Sequence, residues 1–297
     1  MHSARVRRRR RRSHEIAWSP GAGEHQCASL AVRTLGTSGS PIVFLHGLGA
    51  SGSYWGVAYD RLAGRHRLVF PDLLGFGRSP RPRSGYGPDD HANAVAKCVH
   101  EIGAVDEPAL LVGHSLGTLI ALRMAATYPE LVAGVVGFGP PIAPTRDALW
   151  HRLGDMGPGA RLFEFHTRWA ELACRELFEH HTAVAARAAR WWWRDLPVEI
   201  AADGVRHSWS SYCETITRVV LAAEAPAWLE ATTVPVQLIV GSEDTVSDLP
   251  FVQALSTQLP HVTTTVWPHA THDAPLAFGP ACRLAIEDFL ALDRARV

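Results

Sequence analysis

Three residues, Ser115, Asp244 and His272, are of the types that together cut an acyl bond. Ser115 lies in Gly113-His114-Ser115-Leu116-Gly117, which fits G-x-S-x-G, between an apolar run at 109–112 and a helical stretch at 116–127. A serine on a sharp strand-to-helix turn sits on strained backbone, and small residues two positions to either side let the chain pass. The turn lifts the hydroxyl above the sheet edge, at a helix N-terminus whose N–H groups favour a developing anion. A serine hydroxyl is a poor nucleophile until a base takes its proton, and the base must itself be oriented by an acid. Both should follow strands late in the chain. Residues 236–240 run into Gly241-Ser242-Glu243-Asp244, and residues 262–267 run into Pro268-His269-Ala270-Thr271-His272, just before the last helix. Glu243 and Asp248 are rival acids and His269 a rival base. Near the start, Ile42-Val43-Phe44-Leu45 leads into His46-Gly47-Leu48-Gly49. The N–H groups of Leu48 and Leu116 would there face a carbonyl oxygen as it becomes an oxyanion.

The elements that must position these residues alternate. Residues 27–35, 41–45, 68–70, 109–112 and 132–138 read as strands, and 54–62, 89–103 and 116–127 as helices, with Asp89 or Asp90 capping the second. Short apolar runs alternating with helices indicate a mostly parallel sheet covered on both faces. The alternation breaks at Pro140-Pro141, and residues 142–230 read as wholly helical, with tryptophan at 150, 169, 191, 192, 193, 209 and 228. It then resumes with strands at 236–240 and 262–267 and helices at 250–258 and 275–291. The pattern predicts an α/β core from 21–141 and 231–297, a helical cap over the site at 142–230, and a disordered Arg-rich leader at 1–20.

Composition narrows the function. The 297 residues are 47% hydrophobic and 20% charged, as in an ordinary globular protein. No apolar run reaches the length of a membrane span. The net charge of zero hides seven arginines, Arg5 and Arg7 to Arg12; the rest of the chain carries an acidic excess that would repel nucleic acid. Residues 13–20 are too polar and too short for the apolar part of a signal peptide, so a cytoplasmic protein is expected. Five scattered cysteines with no CxxC suit neither a disulfide framework nor a zinc site. The only lysine, Lys97, follows Ala96, so there is no Walker-A loop. Neither metal nor cofactor is expected; the partner is a small molecule.

In order, His46-Gly47-Leu48-Gly49, Asp72-Leu73-Leu74-Gly75-Phe76-Gly77-Arg78-Ser79, Gly113-His114-Ser115-Leu116-Gly117, Gly241-x-x-Asp244 and His272 resemble the motifs of the α/β-hydrolase superfamily, in its capped single-domain branch. The resemblance covers about 27–292. It implies the α/β-hydrolase fold, a triad of Ser115, Asp244 and His272, and a loop at 72–79 that braces the site from beneath. Haloalkane dehalogenases and the related epoxide hydrolases carry an aspartate where Ser115 stands. Meta-cleavage C–C hydrolases often carry Gly-Gly where Gly117-Thr118 stands here. The implied activity is a serine hydrolase cleaving an ester, lactone or thioester through an acyl-enzyme. Alternatives on the same fold are a C–C bond hydrolase, a non-hydrolytic biosynthetic catalyst or a small-molecule receptor. The cap tryptophans suggest a small apolar or aromatic substrate. One pattern points elsewhere: Gly47-x-Gly49-x-x-Gly52, with Asp72 twenty residues on, fits a dinucleotide-binding oxidoreductase. That reading leaves Ser115, Asp244 and His272 without a role.

Overall fold

The computed structural model describes residues 23–102, 107–154, 168–192 and 196–294. The Arg-rich leader lies outside them. Eight strands form one sheet: β1 (Gly23–Cys27), β2 (Leu30–Leu35), β3 (Pro41–Leu45), β4 (Arg67–Pro71), β5 (Ala109–His114), β6 (Val132–Phe138), β7 (Val236–Gly241) and β8 (Val262–Trp267). Their order across the sheet is β1-β2-β4-β3-β5-β6-β7-β8. β2 runs antiparallel to β1 and β4; the other neighbours are parallel.

Helices cover both faces: α1 (Pro88–Glu101), α2 (Leu116–Thr127), α3 (Arg146–Gly154), α4 (Arg168–Cys174), α5 (Thr182–Trp192), α6 (Val198–Asp203), α7 (Trp209–Thr215), α8 (Ala225–Ala231), α9 (Leu249–Gln258), α10 (Ala274–Ala277) and α11 (Gly279–Arg294). Alternate side chains of a strand face opposite ways, so a strand apolar at every position serves two cores. In β3, Val43 and Leu45 join one cluster with α1, α2 and α8, while Ile42 and Phe44 join another with Trp55, Tyr59 and α11. Among the described residues no helix is long and apolar enough to cross a membrane.

Gly87, not Asp89 or Asp90, caps α1, because Pro88 opens the helix; Asp90 sits in its first turn and accepts the Gly87 N–H at 2.8 Å. The structure departs from the sequence pattern in three further places. The run 27–35 is a hairpin: Ala28, at φ 54°, turns the chain between β1 and β2. Residues 54–62 are not one helix but fall in two 3₁₀ turns, Gly52–Trp55 and Asp60–Gly64, parted by Gly56 at φ 58°. The last helical stretch is broken between α10 and α11 at Phe278-Gly279. In each case a turn overrides the apolar pattern on either side of it.

The parallel strands share one carboxyl edge. Leu45 of β3 is level with Gly113 of β5, Phe138 of β6 with Ile239 of β7, and Gly241 of β7 with Trp267 of β8. The loops that leave those strand ends therefore meet, and ligand sites of open α/β sheets form at such an edge.

Candidate active site

Ser115 is the first residue beyond β5 and the N-cap of α2, at φ 52° and ψ −118°. Positive φ strains any residue with a side chain, and such strain clusters at functional sites. The flanking glycines are required by space: a Cβ on Gly113 would lie 2.5 Å from Thr118 N, and one on Gly117 would lie 2.0 Å from the Leu45 carbonyl oxygen. The Ser115 N–H donates to Phe138 O at 2.9 Å, which ties the elbow to β6.

Asp244 and His272 meet across the loops after β7 and β8. His272 Nδ1 lies 3.1 Å and 3.2 Å from the two Asp244 carboxylate oxygens. Nδ1 donates, which leaves Nε2 as the nitrogen turned away from Asp244. The Asp244 side chain is fully buried and that of His272 is 11% exposed. Asp244 Oδ1 also accepts the Val246 N–H at 2.8 Å, and Oδ2 lies 3.0 Å from the Ser247 hydroxyl. Burial pushes the Asp244 carboxyl upward. The His272 hydrogen bond and charge, with the Val246 N–H and Ser247 hydroxyl, outweigh it and hold the carboxyl at about 2.

The rival residues are engaged elsewhere. Asp248 caps α9 by accepting the Phe251 N–H at 3.1 Å and pairs with Arg152 at 2.7 Å. Glu243 and His269 pair with each other at 3.0 Å on the surface.

Three further groups hold this pair, and the motifs did not mark them. His114 Nε2 lies 3.0 Å from the His272 carbonyl oxygen. A carbonyl only accepts, so Nε2 carries the proton and His114 fastens the backbone of His272. Burial, then the neighbouring His272, lowers the pKa of His114 to about 3. Tyr54 stacks on the His114 ring at 4.7 Å. Gly139, at φ 53° after β6, passes so close that a Cβ would lie 3.0 Å from His272 Nδ1 and 3.1 Å from Asp244 Oδ2. A glycine ending a strand beside the serine elbow was the available signal.

Leu48 follows β3 and lines a cavity of about 270 Å³ together with Ser115 and His272. Leu116, the other expected donor, is buried as the first residue of α2. His46 fixes the loop between. Its Nδ1 donates to Gly47 O at 2.8 Å and its Nε2 accepts the Leu73 N–H at 2.9 Å, so both nitrogens of the neutral ring are used. Among the described residues no hydrogen bond joins Ser115 Oγ to His272; such contacts commonly tighten only when substrate binds.

Over the cavity stand Leu153, Leu196, Ile200, Ile216 and Val220, all from the helical insertion between β6 and β7. Tryptophan does not line it among the described residues. Trp169 and Trp191 are 80% and 67% exposed, and Trp228 is buried in the core against α2. Trp193 lies outside the described residues. Among the described residues, side chains other than tryptophan shape the cavity. Trp209 packs inside the insertion against Ala170, Cys174 and Cys213, and the insertion lines the cavity with aliphatic side chains and Tyr212.

The glycines 47, 49 and 52 do not open a dinucleotide site. Gly52 begins a 3₁₀ turn, not an α-helix with free N–H groups, and its Cα packs against β4, where a Cβ would lie 2.6 Å from Phe70 O. Asp72 spends both oxygens on backbone, accepting Gly52 N–H at 2.7 Å and Arg78 N–H at 2.8 Å.

A family model described as the alpha/beta hydrolase fold matches residues 40–277. The chain belongs to the α/β-hydrolase fold family. Among its curated relatives, this chain is 35% identical over 139 residues to 2-(acetamidomethylene)succinate hydrolase of Mesorhizobium japonicum, covering 46% of this chain and 48% of that one. It is 35% identical over 125 residues to 2-hydroxymuconate semialdehyde hydrolase of Pseudomonas sp. strain CF600, covering 38% and 42%. The chain spans from about a quarter to half the length of the curated relatives it matches. Among solved structures, an esterase from Rhodococcus sp. ECU1013 superposes with a TM-score of 0.71 at 22% identity, over 92% of this chain and 99% of that one. That likeness establishes the fold.

Proposed function

We propose that this hydrolase cleaves an ester, lactone or thioester of a small apolar or aromatic compound through an acyl-enzyme. Ser115 Oγ attacks the carbonyl carbon and its proton passes to His272 Nε2. Asp244 holds the ring and stabilises the imidazolium. The N–H groups of Leu48 and Leu116 receive the oxyanion. The carbon–oxygen or carbon–sulfur bond to the leaving group breaks, and His272 returns the proton to that group. Water, activated by the same nitrogen, then releases the acid. The observation that carries this reading is the Asp244–His272 pair, buried at its acid end and opening on the cavity that Ser115 also lines.

Residues 142–230 serve as the cap and the flanking segments as the core. A cavity of about 270 Å³ sits at the lower edge of the usual range for ligand sites, which favours a small substrate. Its roof of aliphatic side chains and Tyr212 rewards an apolar acyl or alkyl group, at about 0.8 kcal/mol per buried methylene.

The test is turnover of p-nitrophenyl esters of graded acyl length, together with trapping by a fluorophosphonate. Ester turnover and an adduct mapped to Ser115 are expected, with kcat/KM rising over the first few methylenes and then falling. An adduct elsewhere would sink the assignment. A second reading, hydrolysis of another bond in a small acid, draws on the names of the two curated relatives. Trapping at Ser115 without ester turnover would favour it.

Gly139→Ala tests the packing around the base. Alanine at φ 53° costs about 1–2 kcal/mol, and its methyl presses on the His272–Asp244 bond. Stability to thermal unfolding should fall by that amount. Ester kcat should fall about tenfold to a hundredfold, the loss that follows a misplaced catalytic group. Unchanged kcat would mean that the pair is not held by this contact.

A further inference from the structure

The loop that carries Leu48 is held at its entrance by His46 and at its exit by two carboxylates. One is Asp72, from the end of β4, which takes the Gly52 N–H. The other is Asp203, the last residue of α6, 152 residues along the chain from Ser51. Asp203 Oδ2 accepts the Ser51 hydroxyl and the Ser53 hydroxyl, each at 2.7 Å. Both serines are buried, at 2% and 6% exposure, and the Asp203 side chain is 14% exposed. Hydrogen bonds to a carboxylate are among the stronger ones a protein makes. The backbone is close at the same seam: a Cβ on Gly204 would lie 3.4 Å from Gly49 O. α6 also supplies Ile200 and Ala201 to the cavity wall. The helix that touches substrate space is therefore bonded directly to the loop expected to hold the oxyanion.

We propose that Asp203 is a positioning residue for the oxyanion hole, setting the Leu48 N–H through the Ser51 and Ser53 hydroxyls. The inference rests on the serine-hydrolase reading above. An ester's ground-state carbonyl asks little of that N–H, whereas the tetrahedral adduct places a full negative charge on it. Loss of the clasp should therefore weaken the transition state and spare substrate binding. A residue that merely steadied the fold would lower stability without that split.

The experiment compares wild type, Asp203→Asn, Asp203→Ala and a Ser51→Ala/Ser53→Ala double variant. kcat on a p-nitrophenyl ester should fall about tenfold in Asp203→Asn and up to about a hundredfold in Asp203→Ala, below the full loss of an oxyanion donor, with KM within about threefold. Affinity for phenylboronic acid, which forms a tetrahedral adduct on a serine oxygen, should fall by a similar factor. Binding of the intact ester in a Ser115→Ala background should not change. The double serine variant should reproduce the Asp203→Ala loss of kcat, and combining the two should add nothing to it, because both remove the same two hydrogen bonds across the seam. Additive losses, unchanged kcat, or an equal fall in ester binding would overturn the proposal. Wild type that neither turns over esters nor is trapped at Ser115 would overturn the parent reading and this one with it. Active wild type with indifferent Asp203 variants would overturn this one alone.

Discussion

Ser115→Ala should abolish nearly all ester turnover, by about 10⁶ in kcat, while Asp244→Asn should cost about 10⁴. The losses are unequal because the two residues fail differently. Without the Ser115 oxygen no acyl-enzyme forms, and what remains is binding and the oxyanion donors. In the Asp244→Asn variant the new side chain would still fill the site. Its carbonyl would still accept from the Val246 and Ser247 N–H groups, which now meet Asp244 Oδ1 at 2.8 Å and 3.3 Å. That puts the NH₂ at the Oδ2 position, 3.2 Å from His272 Nδ1, so a donor replaces one of the two oxygens that hold the Nδ1 proton. Where the NH₂ donates to it, His272 Nδ1 accepts, and the imidazole proton sits on Nε2. A ring protonated on Nε2 cannot take the serine proton. The pH profile of kcat/KM separates this from a folding defect, since the variant should regain rate at high pH, where hydroxide replaces the base. Glu243→Gln should be indistinguishable from wild type, because among the described residues the Glu243 carboxylate pairs with exposed His269 on the surface. Asp244→Asn within tenfold of wild type would remove Asp244 from the triad.

The fold was readable because apolar strands ending at a shared edge announce themselves in sequence. Residues 41–45, 109–112, 132–138 and 236–240 are apolar almost throughout, and each is followed by glycine or a polar turn within a few residues. The loops that bear Leu48, Ser115 and Asp244 could be placed from those ends alone, whereas His272 follows Val262–Trp267, whose three threonines make it a weaker apolar run. What escaped the sequence is contact between distant segments. Ser51 and Asp203 are 152 residues apart, and neither is unusual in its own neighbourhood. His114 reads as a filler position of G-x-S-x-G, yet its ring is committed to the His272 carbonyl. Tryptophan count does not say which side chains line the cavity, for the opposite reason. Composition reports how much aromatic surface a segment carries but not which way each ring points, and exposed Trp169 and Trp191 face away from the cavity lining. The hairpin at Ala28 escaped because a left-handed residue that is not glycine leaves no mark in composition.

Acidification from pH 7.5 to pH 5 should cost this protein much of its stability through histidines rather than carboxylates. His91, His114 and His207 are buried and held neutral, with pKa values lowered to about 3, 3 and 4 chiefly by burial. His46 is wholly buried and lowered in the same direction. Unfolded, each titrates near 6.5. Between 6.5 and the folded values the unfolded chain binds more protons than the native one, so stability rises with pH and is lost as pH falls below about 6.5. At pH 5 each of the three accounts for a loss of about 2 kcal/mol, at 1.36 kcal/mol per unit. Together that is about 6 kcal/mol, comparable with the whole stability of many domains. Asp244, held at about 2, adds a loss of the same sign only below about 4, so the two causes separate along the pH axis. Urea unfolding at fixed temperature should show the midpoint falling steeply from pH 6.5 to 5, with a limiting slope of three to four protons. His91→Phe isolates one site: the ring packs near Phe76 and Tyr86 and gives up only its bond to Thr215. That variant should lose stability at pH 7.5 and lose about one proton from the slope, so its curve converges on wild type near pH 5. A wild-type slope below one proton in that window would mean that these imidazoles take up protons without unfolding the chain.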